Sequence, residues 1–533
     1  MAIMFRVSFT NGTRFITIHI PNNAILNFPP TMAFLPTLGT GLFIGSGQAL
    51  AAGGPLSLLL SYGFISVLVY CMGTAVAEVA AHMPVSGGAM VNHNYRYSSS
   101  HLAFSMGYLR WYSLAMLVPF EITNGIVNLG LFVPGSEVAV RVSLMAAVIV
   151  GFNMLPENPF KRSESLFTFL KLLATTGLLI LTIVLGIRGV PGTGIRGFHY
   201  WNDPGFMKEY MVSGNLGRFL GLVQCLLYSA VSFTLVPELI VQRAEELDAT
   251  VRPNILRVAQ LDTIQHSVLY VLTVVAIGVL CPSDHPMLTN QGNGPGTSPF
   301  LVGIQIHQIQ ILPIIVSIAI FFSSVASGRS FLFLSSRTLC SLSEAGHAPP
   351  IFQRRNRFGV PYVSVIASGL FAGFAYLSMA TSSSAVFNWL MHFVTTSGYI
   401  SWLGSCAVYL HFRRTTAAQG FTRAHQARVQ PYGVYFGILS CSVLPFANGL
   451  ITAQFGVPSN LVAAYLGIAS FLLLYFGHRL NSSMGHGAGP EDEEGDRHHG
   501  MGHRVGKPIR KLFFWQQRRR VQRTEETIEL GER

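Results

Sequence analysis

Charge is what this sequence has least of. Asp, Glu, Lys and Arg together make up 11% of its 533 residues, against 50% hydrophobic. A soluble globular chain carries about 25% charged residues. Too few charges are present to cover a water-exposed surface at this length. A soluble enzyme, a disordered scaffold and a nucleic-acid binder are thereby excluded for the chain as a whole. Cysteine is also sparse. Its six copies (Cys71, Cys225, Cys281, Cys340, Cys406 and Cys441) have no metal-ligand spacing and read as small buried apolar residues. Also lacking are a phosphate-binding loop, a metal-ligand pair on one helix and a Ser/His/Asp set with reason to converge. Neither an enzyme, an ATP-driven pump nor a cofactor is expected. The first 30 residues have no basic head leading into an apolar run and a small-residue cleavage site, so a signal peptide is not expected.

What is abundant is apolar sequence in long runs, rich in Phe (38) and Gly (53). A membrane helix needs about 20 mostly apolar residues. The runs predict an all-α polytopic membrane protein of about 12 transmembrane helices. They fall near 32–52, 55–80, 103–133, 137–156, 165–187, 217–241, 260–282, 308–340, 361–381, 385–412, 432–451 and 459–480. Three segments follow: a cytoplasmic N-terminal stretch 1–31, a transmembrane domain 32–480 and a disordered cytoplasmic tail 481–533.

The net charge of +12 is unevenly placed. One set of alternate connections holds Arg96, Lys161, Arg162, Arg243, Arg252, Arg257, Arg354, Arg355, Arg357, Arg413, Arg414, Arg423 and Arg428. The opposite set is nearly free of positives apart from Arg188, Arg196, Lys208 and Arg218. Cytoplasmic loops carry the excess of Lys and Arg, so both termini are expected inside. Residues 504–523 interleave basic residues with Phe513, Phe514 and Trp515, which suits the anionic lipids of a cytoplasmic leaflet. His486, His498, His499 and His503 read as part of a solvated linker; no metal site is expected.

Two spans contain what a continuous helix avoids. The first reads Leu38-Gly39-Thr40-Gly41-Leu42-Phe43-Ile44-Gly45-Ser46-Gly47, and each interior glycine costs about 1 kcal/mol relative to Ala. The sixth contains Ser232-Phe233-Thr234-Leu235-Val236-Pro237-Glu238, where Pro237 removes a backbone bond. Free backbone at membrane depth is tolerated where it lines a cavity or is buried in protein. Breaks in corresponding places of two halves point to a transporter's binding site. The competing explanation is close helix packing at the glycines and a simple kink at the proline. If the breaks are real, the N–H groups after Gly41 suit a carboxylate and the carbonyls of Ser232 to Thr234 suit an ammonium. Together they fit a zwitterionic α-amino acid.

At these residues the chain resembles the fungal amino-acid permeases of the amino acid–polyamine–organocation superfamily. The resemblance begins with Gly39-Thr40-Gly41-Leu42-Phe43-Ile44-Gly45-Ser46-Gly47 and Gly54-Pro55. It continues through Glu78, Met83-Pro84-Val85-Ser86-Gly87-Gly88 and Pro119-Phe120-Glu121-Ile122-Thr123. Later matches are Gly197-Phe198-His199-Tyr200-Trp201, Ser298-Pro299-Phe300, Ser335-Ser336-Arg337-Thr338-Leu339 and Gly346-His347-Ala348-Pro349. Gly359-Val360-Pro361-Tyr362, Phe387-Asn388-Trp389 and Gln430-Pro431-Tyr432-Gly433 complete the set. It implies proton-driven uptake of amino acids across a fungal plasma membrane, on a five-plus-five inverted repeat with helices 1 and 6 broken. The chain departs from the family at Leu35-Pro36-Thr37-Leu38, at Val236-Pro237 and at Arg329, where the family places Asn. Residues 1–31 are short and β-like where the family has a long hydrophilic tail, and a misassigned start or exon is one explanation.

Charges inside apolar runs are functional candidates, since each costs about 2.5–3.5 kcal/mol at mid-helix. The resemblance implies that Glu121 faces the substrate amino group; a carboxylate joining two helices is the alternative. Glu238 either fixes the broken backbone or carries a coupling proton. Lys171 either snorkels to the interface or, as in some relatives, exchanges protons in place of a bound sodium ion. Glu78 reads as a structural or gating partner. Arg329 faces either the pocket or another helix, and Phe233 is either a lid or a packing aromatic. The expected function is secondary active amino-acid transport, with protons and membrane lipids as partners and no nucleic acid. Substrate contacts are expected from Gly39, Thr40, Gly41, Glu121, Ser232, Phe233, Thr234 and Arg329, and proton coupling from Lys171 and Glu238. A non-transporting amino-acid sensor or inactive relic on the same fold is the alternative; a channel has no ring of charges to support it.

Overall fold

A computed structural model describes residues 5–10, 13–18, 41–82, 94, 96–130, 137–188, 197–246, 255–288, 298–306, 312–380, 383–418, 427–454 and 458–485. Gly39 and Thr40 lie outside the described residues, as do most of 1–31 and nearly all of 481–533.

Within 1–31, β1 (Phe5–Thr10) pairs antiparallel with β2 (Thr13–Ile18), placing Phe5 opposite Ile18. The rest of the described chain is helical or connects helices. In hydrocarbon every backbone polar group must be satisfied internally, so long apolar runs become helices. A π-helical turn at Gly41–Gly45 leads into α1 (Ser46–His82). Then come α2 (Ser100–Gly130), α3 (Val138–Asn153) and α4 (Glu157–Arg188). Helices α5 (Asn215–Phe233) and α6 (Val236–Glu246) are separated by a short turn. They are followed by α7 (Ile255–Leu280), the short α8 (Pro299–Ile306) and α9 (Leu312–Glu344). Helix α10 (Tyr362–Gly369) continues as a 3-10 stretch, Leu370–Tyr376. Last come α11 (Ser383–Ala418), α12 (Tyr432–Gln454) and α13 (Pro458–Gly485). Among the described residues, eight helices are long and apolar enough to cross a membrane.

Helix α1 is two helices joined without a loop. Gly54, at φ 80°, is the joint, a value that glycine alone adopts without strain. The sequence-based boundary between 52 and 55 falls on it. The outer connection docks there: Leu56 N donates to Phe206 O at 3.0 Å and Lys208 N to Gly53 O at 3.0 Å. Burial in this connection holds the Lys208 ammonium below its usual range, while Asp284 acts the other way.

Two antiparallel helix pairs make the centre. The first half of α1 lies along α5. A Cβ on Gly53 would meet Cys225 Sγ at 2.7 Å and Gly221 O at 2.8 Å. The Cys225 thiol also donates to Ala49 O at 3.0 Å. The second pair is α2 with α9. Gly107 admits Leu342 at one end, and Asn124 Nδ2 donates to Ser324 Oγ at 2.6 Å further along. Ser335 Oγ donates to the Trp111 carbonyl, and Trp111 Nε1 to Ser368 Oγ at 3.0 Å.

Candidate functional site

Gly41, from the first sequence-predicted break, meets Ser232 of the sixth span; Gly39 and Thr40 lie outside the described residues, and from Gly41 onward the chain is helical. A Cβ on Gly41 would lie 2.6 Å from Ser232 Oγ and 2.8 Å from Ser232 N, so only glycine fits there. Tyr62, from the second half of α1, bridges the contact. Its hydroxyl lies 2.9 Å from Ser232 Oγ and donates to Gly41 O at 3.4 Å. Tyr270 of α7 donates to the Ser232 carbonyl at 3.0 Å. That carbonyl, assigned from sequence to a substrate ammonium, therefore has a protein donor here. Phe233 is fully buried and packs edge-on against Tyr270 (4.8 Å between centroids) and His266 (5.9 Å).

The break in the sixth span is tighter than an unwound stretch. Thr234 keeps helical dihedrals (φ −55°, ψ −34°), and its hydroxyl donates back to Ala230 O at 3.3 Å. Pro237 has no N–H, so the Phe233 carbonyl loses its partner four residues on. The result is a short turn at 234–235.

Glu121, Lys171 and Arg329 come together elsewhere, where α2, α4 and α9 meet. Lys171 is buried and donates from Nζ to Ser327 Oγ at 2.8 Å. Next to Ser327, Gly328 makes room for Glu121, whose Cβ would lie 3.5 Å from an added Cβ. The Glu121 carboxylate and the Arg329 guanidinium both act electrostatically on the Lys171 ammonium. Arg329 is 1% exposed and turns toward the start of α4. It donates to Ser163 Oγ at 2.6 Å and to the Phe160 carbonyl at 3.1 Å, and stacks on the Phe160 ring at 4.2 Å. Those contacts are helix-to-helix.

Glu238 belongs to neither group. Its Oε1 accepts from Arg110 Nε at 2.7 Å, with Arg110 Nη2 at 2.6 Å. Glu78 is braced on both oxygens, by the Tyr409 hydroxyl at 2.6 Å and by Ala427 N at 2.6 Å. Sequence reasoning missed Tyr62, Tyr270, His266 and Arg110. Arg110 had a signal: it is a charge inside an apolar run, the criterion that selected Lys171. The aromatics had none, because nothing in their spacing separates them from packing residues.

An apolar cavity of about 400 Å³ lies between α4 and α9, with Phe43, Leu173, Gly177, Leu178 and Ile320 in its walls. It carries none of the predicted substrate contacts. No cluster able to hold a metal ion occurs among the described residues.

Comparison with known proteins places this geometry in a family. Residues 31–485 match the family model described as amino acid permease. The chain is 34% identical over 451 residues to a proline-specific permease of Emericella nidulans, covering 83% of this chain and 82% of that one. It is 33% identical to the proline-specific permease of Saccharomyces cerevisiae, covering 83% and 72%. The dicarboxylic amino acid permease of the same yeast is 30% identical, covering 83% and 74%. In three dimensions it resembles a manganese transporter of Eremococcus coleocola with a TM-score of 0.54, covering 90% of this chain and 98% of that one. At 14% identity that likeness speaks for the fold alone. This multi-pass membrane chain thus has a transporter's fold, and it belongs to the amino acid permease family.

Proposed function

We propose that the chain is a proton-coupled amino-acid symporter of the plasma membrane, working by alternating access with both termini cytoplasmic. The observation that carries this reading is the backbone contact between Gly41 and Ser232, which joins the two breaks in one place. A carboxylate would meet N–H groups at Gly39, Thr40 and Gly41. An ammonium would compete with the Tyr270 hydroxyl for the carbonyls around Ser232, Phe233 and Thr234. Tyr62 and Phe233 close over the contact and move aside for substrate.

A five-plus-five inverted repeat of twelve spans is supported by the two antiparallel pairs. Spans one and six pair with each other through Gly41, Gly53, Gly221 and Ser232. Spans three and eight pair through Gly107, Asn124, Ser324 and Leu342. In both cases the paired spans are counterparts in the two proposed halves, which fits a two-fold axis in the membrane plane.

The coupling proton is carried at Lys171. A buried ammonium is costly unless paired, and here its neighbours are the Ser327 hydroxyl, the Glu121 and Glu164 carboxylates and the Arg329 guanidinium. Protonation state then sets how firmly α4 grips α9. Glu238 is the lesser candidate, because its carboxylate already faces a permanent cation, Arg110. Neutral zwitterions are the substrate class, and proline is the first to try. Uptake of labelled proline by cells lacking their own permeases, competed by a panel of amino acids, tests the substrate. Binding without flux would favour a sensor instead.

A further inference from the structure

Arg110 and Glu238 join two parts of the molecule that are held very differently. Helix α2, which carries Arg110, is fastened to α9 and α10 by the Asn124–Ser324, Ser335–Trp111 and Trp111–Ser368 bonds. Helix α6, which carries Glu238, is the half-helix after the break at 234–235. Its apolar face rests on α1, where Gly73 leaves room for Ile240. Across its other side, Arg110 supplies a charged contact.

The pair is buried, with side chains 3% and 10% exposed, but half-satisfied. Nε and Nη2 both converge on Oε1. Glu238 Oε2 and Arg110 Nη1 are buried and meet no hydrogen-bonding partner among the described residues. A buried ion pair is a firm brace only when its remaining donors and acceptors are also met. Glu78, with both oxygens bonded, is such a brace. Arg110–Glu238 is not, and its net hold is small enough to break and re-form.

We infer that Arg110 is a positioning residue: through Glu238 it latches the half-helix α6 against the fixed α2, and release of this latch opens the cytoplasmic path to the Gly41–Ser232 crossing. The inference rests on the alternating-access reading for its direction.

The test uses Thr234→Cys, a half-buried reporter at the break, in full-length protein in inside-out vesicles without substrate. The six native cysteines are all buried and give the background. Adding Arg110→Ala is expected to speed labelling by a water-soluble maleimide about threefold, its share of the tenfold shift in the inward/outward equilibrium from a latch worth about 1.4 kcal/mol. The exchange Arg110→Glu with Glu238→Arg is expected to restore the slow rate. Glu238→Gln covers the case in which Arg110→Ala fails to fold, and is expected to label fast. In uptake assays Arg110→Ala raises KM for external substrate about threefold, the remaining share of that shift, with little change in maximal rate, because fewer molecules face outward. A merely structural loss would lower the maximal rate and leave KM alone. Unchanged labelling in both single variants, or a folded exchange variant that labels as fast as Arg110→Ala, overturns the latch. Labelling needs no flux, so it stands even if the protein proves not to transport; lack of uptake by the wild type would sink the transport reading alone.

Discussion

The crossing of the broken spans and the seam between α2, α4 and α9 are built from opposite materials. At the crossing the contact is backbone against backbone, made possible by a missing side chain at Gly41 and tuned by neutral hydroxyls from Tyr62 and Tyr270. At the seam three charged side chains, Lys171, Glu121 and Arg329, are all buried, and the last two act electrostatically on the first. The first kind of contact is intolerant of bulk and indifferent to charge. The second is intolerant of unbalanced charge. On the reading proposed above, the first region would supply a fixed shape that recognises a zwitterion, and the second an ionisable group whose state can change.

The largest effect is expected where the crossing is tightest. Gly41→Val should cut uptake about 10–100-fold with normal amounts of protein at the cell surface, since its side chain would displace Ser232. Uptake close to that of the wild type would show that the spans do not approach as described. At the seam, Lys171→Met should lower net uptake about tenfold while sparing exchange of internal for external substrate, because exchange needs no net proton movement. Equal losses of both would make Lys171 an ordinary structural residue.

Arg329→Asn separates the regions most cleanly. It removes the bonds to Ser163 and Phe160 and the stacking on the Phe160 ring, so it should cost about 1–3 kcal/mol of stability. Competition profiles across acidic, neutral and basic amino acids should stay as they are. A changed profile with unchanged thermal stability would move Arg329 into the pocket. The smallest effect is expected from Tyr270→Phe, which deletes one hydrogen bond to the Ser232 carbonyl, worth about 0.5–1.5 kcal/mol. It should change KM by a few-fold in either direction, measured on initial rates.

The two regions were also unequally legible in the sequence. Helix positions followed from apolar runs, and even the loop-free joint at Gly54 fell between the spans drawn at 52 and 55. Gly41 and Ser232 were legible because unusual backbone leaves a mark in residue type. Their contact was legible only through the idea of paired breaks. The direction of a charged side chain leaves no such mark. Arg329 was equally compatible with a pocket and with a helix interface, and its partner at Ser163 lies 166 positions away along the chain. Arg110 was legible as a charge inside an apolar run, but its pairing with Glu238 was not, because an ion pair between remote residues has no sequence period. The extent of the break at 234–235 was overstated for a local reason: proline interrupts a hydrogen bond without forcing the residues before it out of helical dihedrals.

The most direct test is reconstitution of the purified protein into sealed liposomes with labelled proline outside. With an inward proton gradient the label should accumulate inside above its external concentration, and collapsing the gradient with an ionophore should return it to equilibrium. Accumulation that ignores the gradient, or bound label that never crosses, would contradict proton-coupled transport through the crossing of the two broken spans.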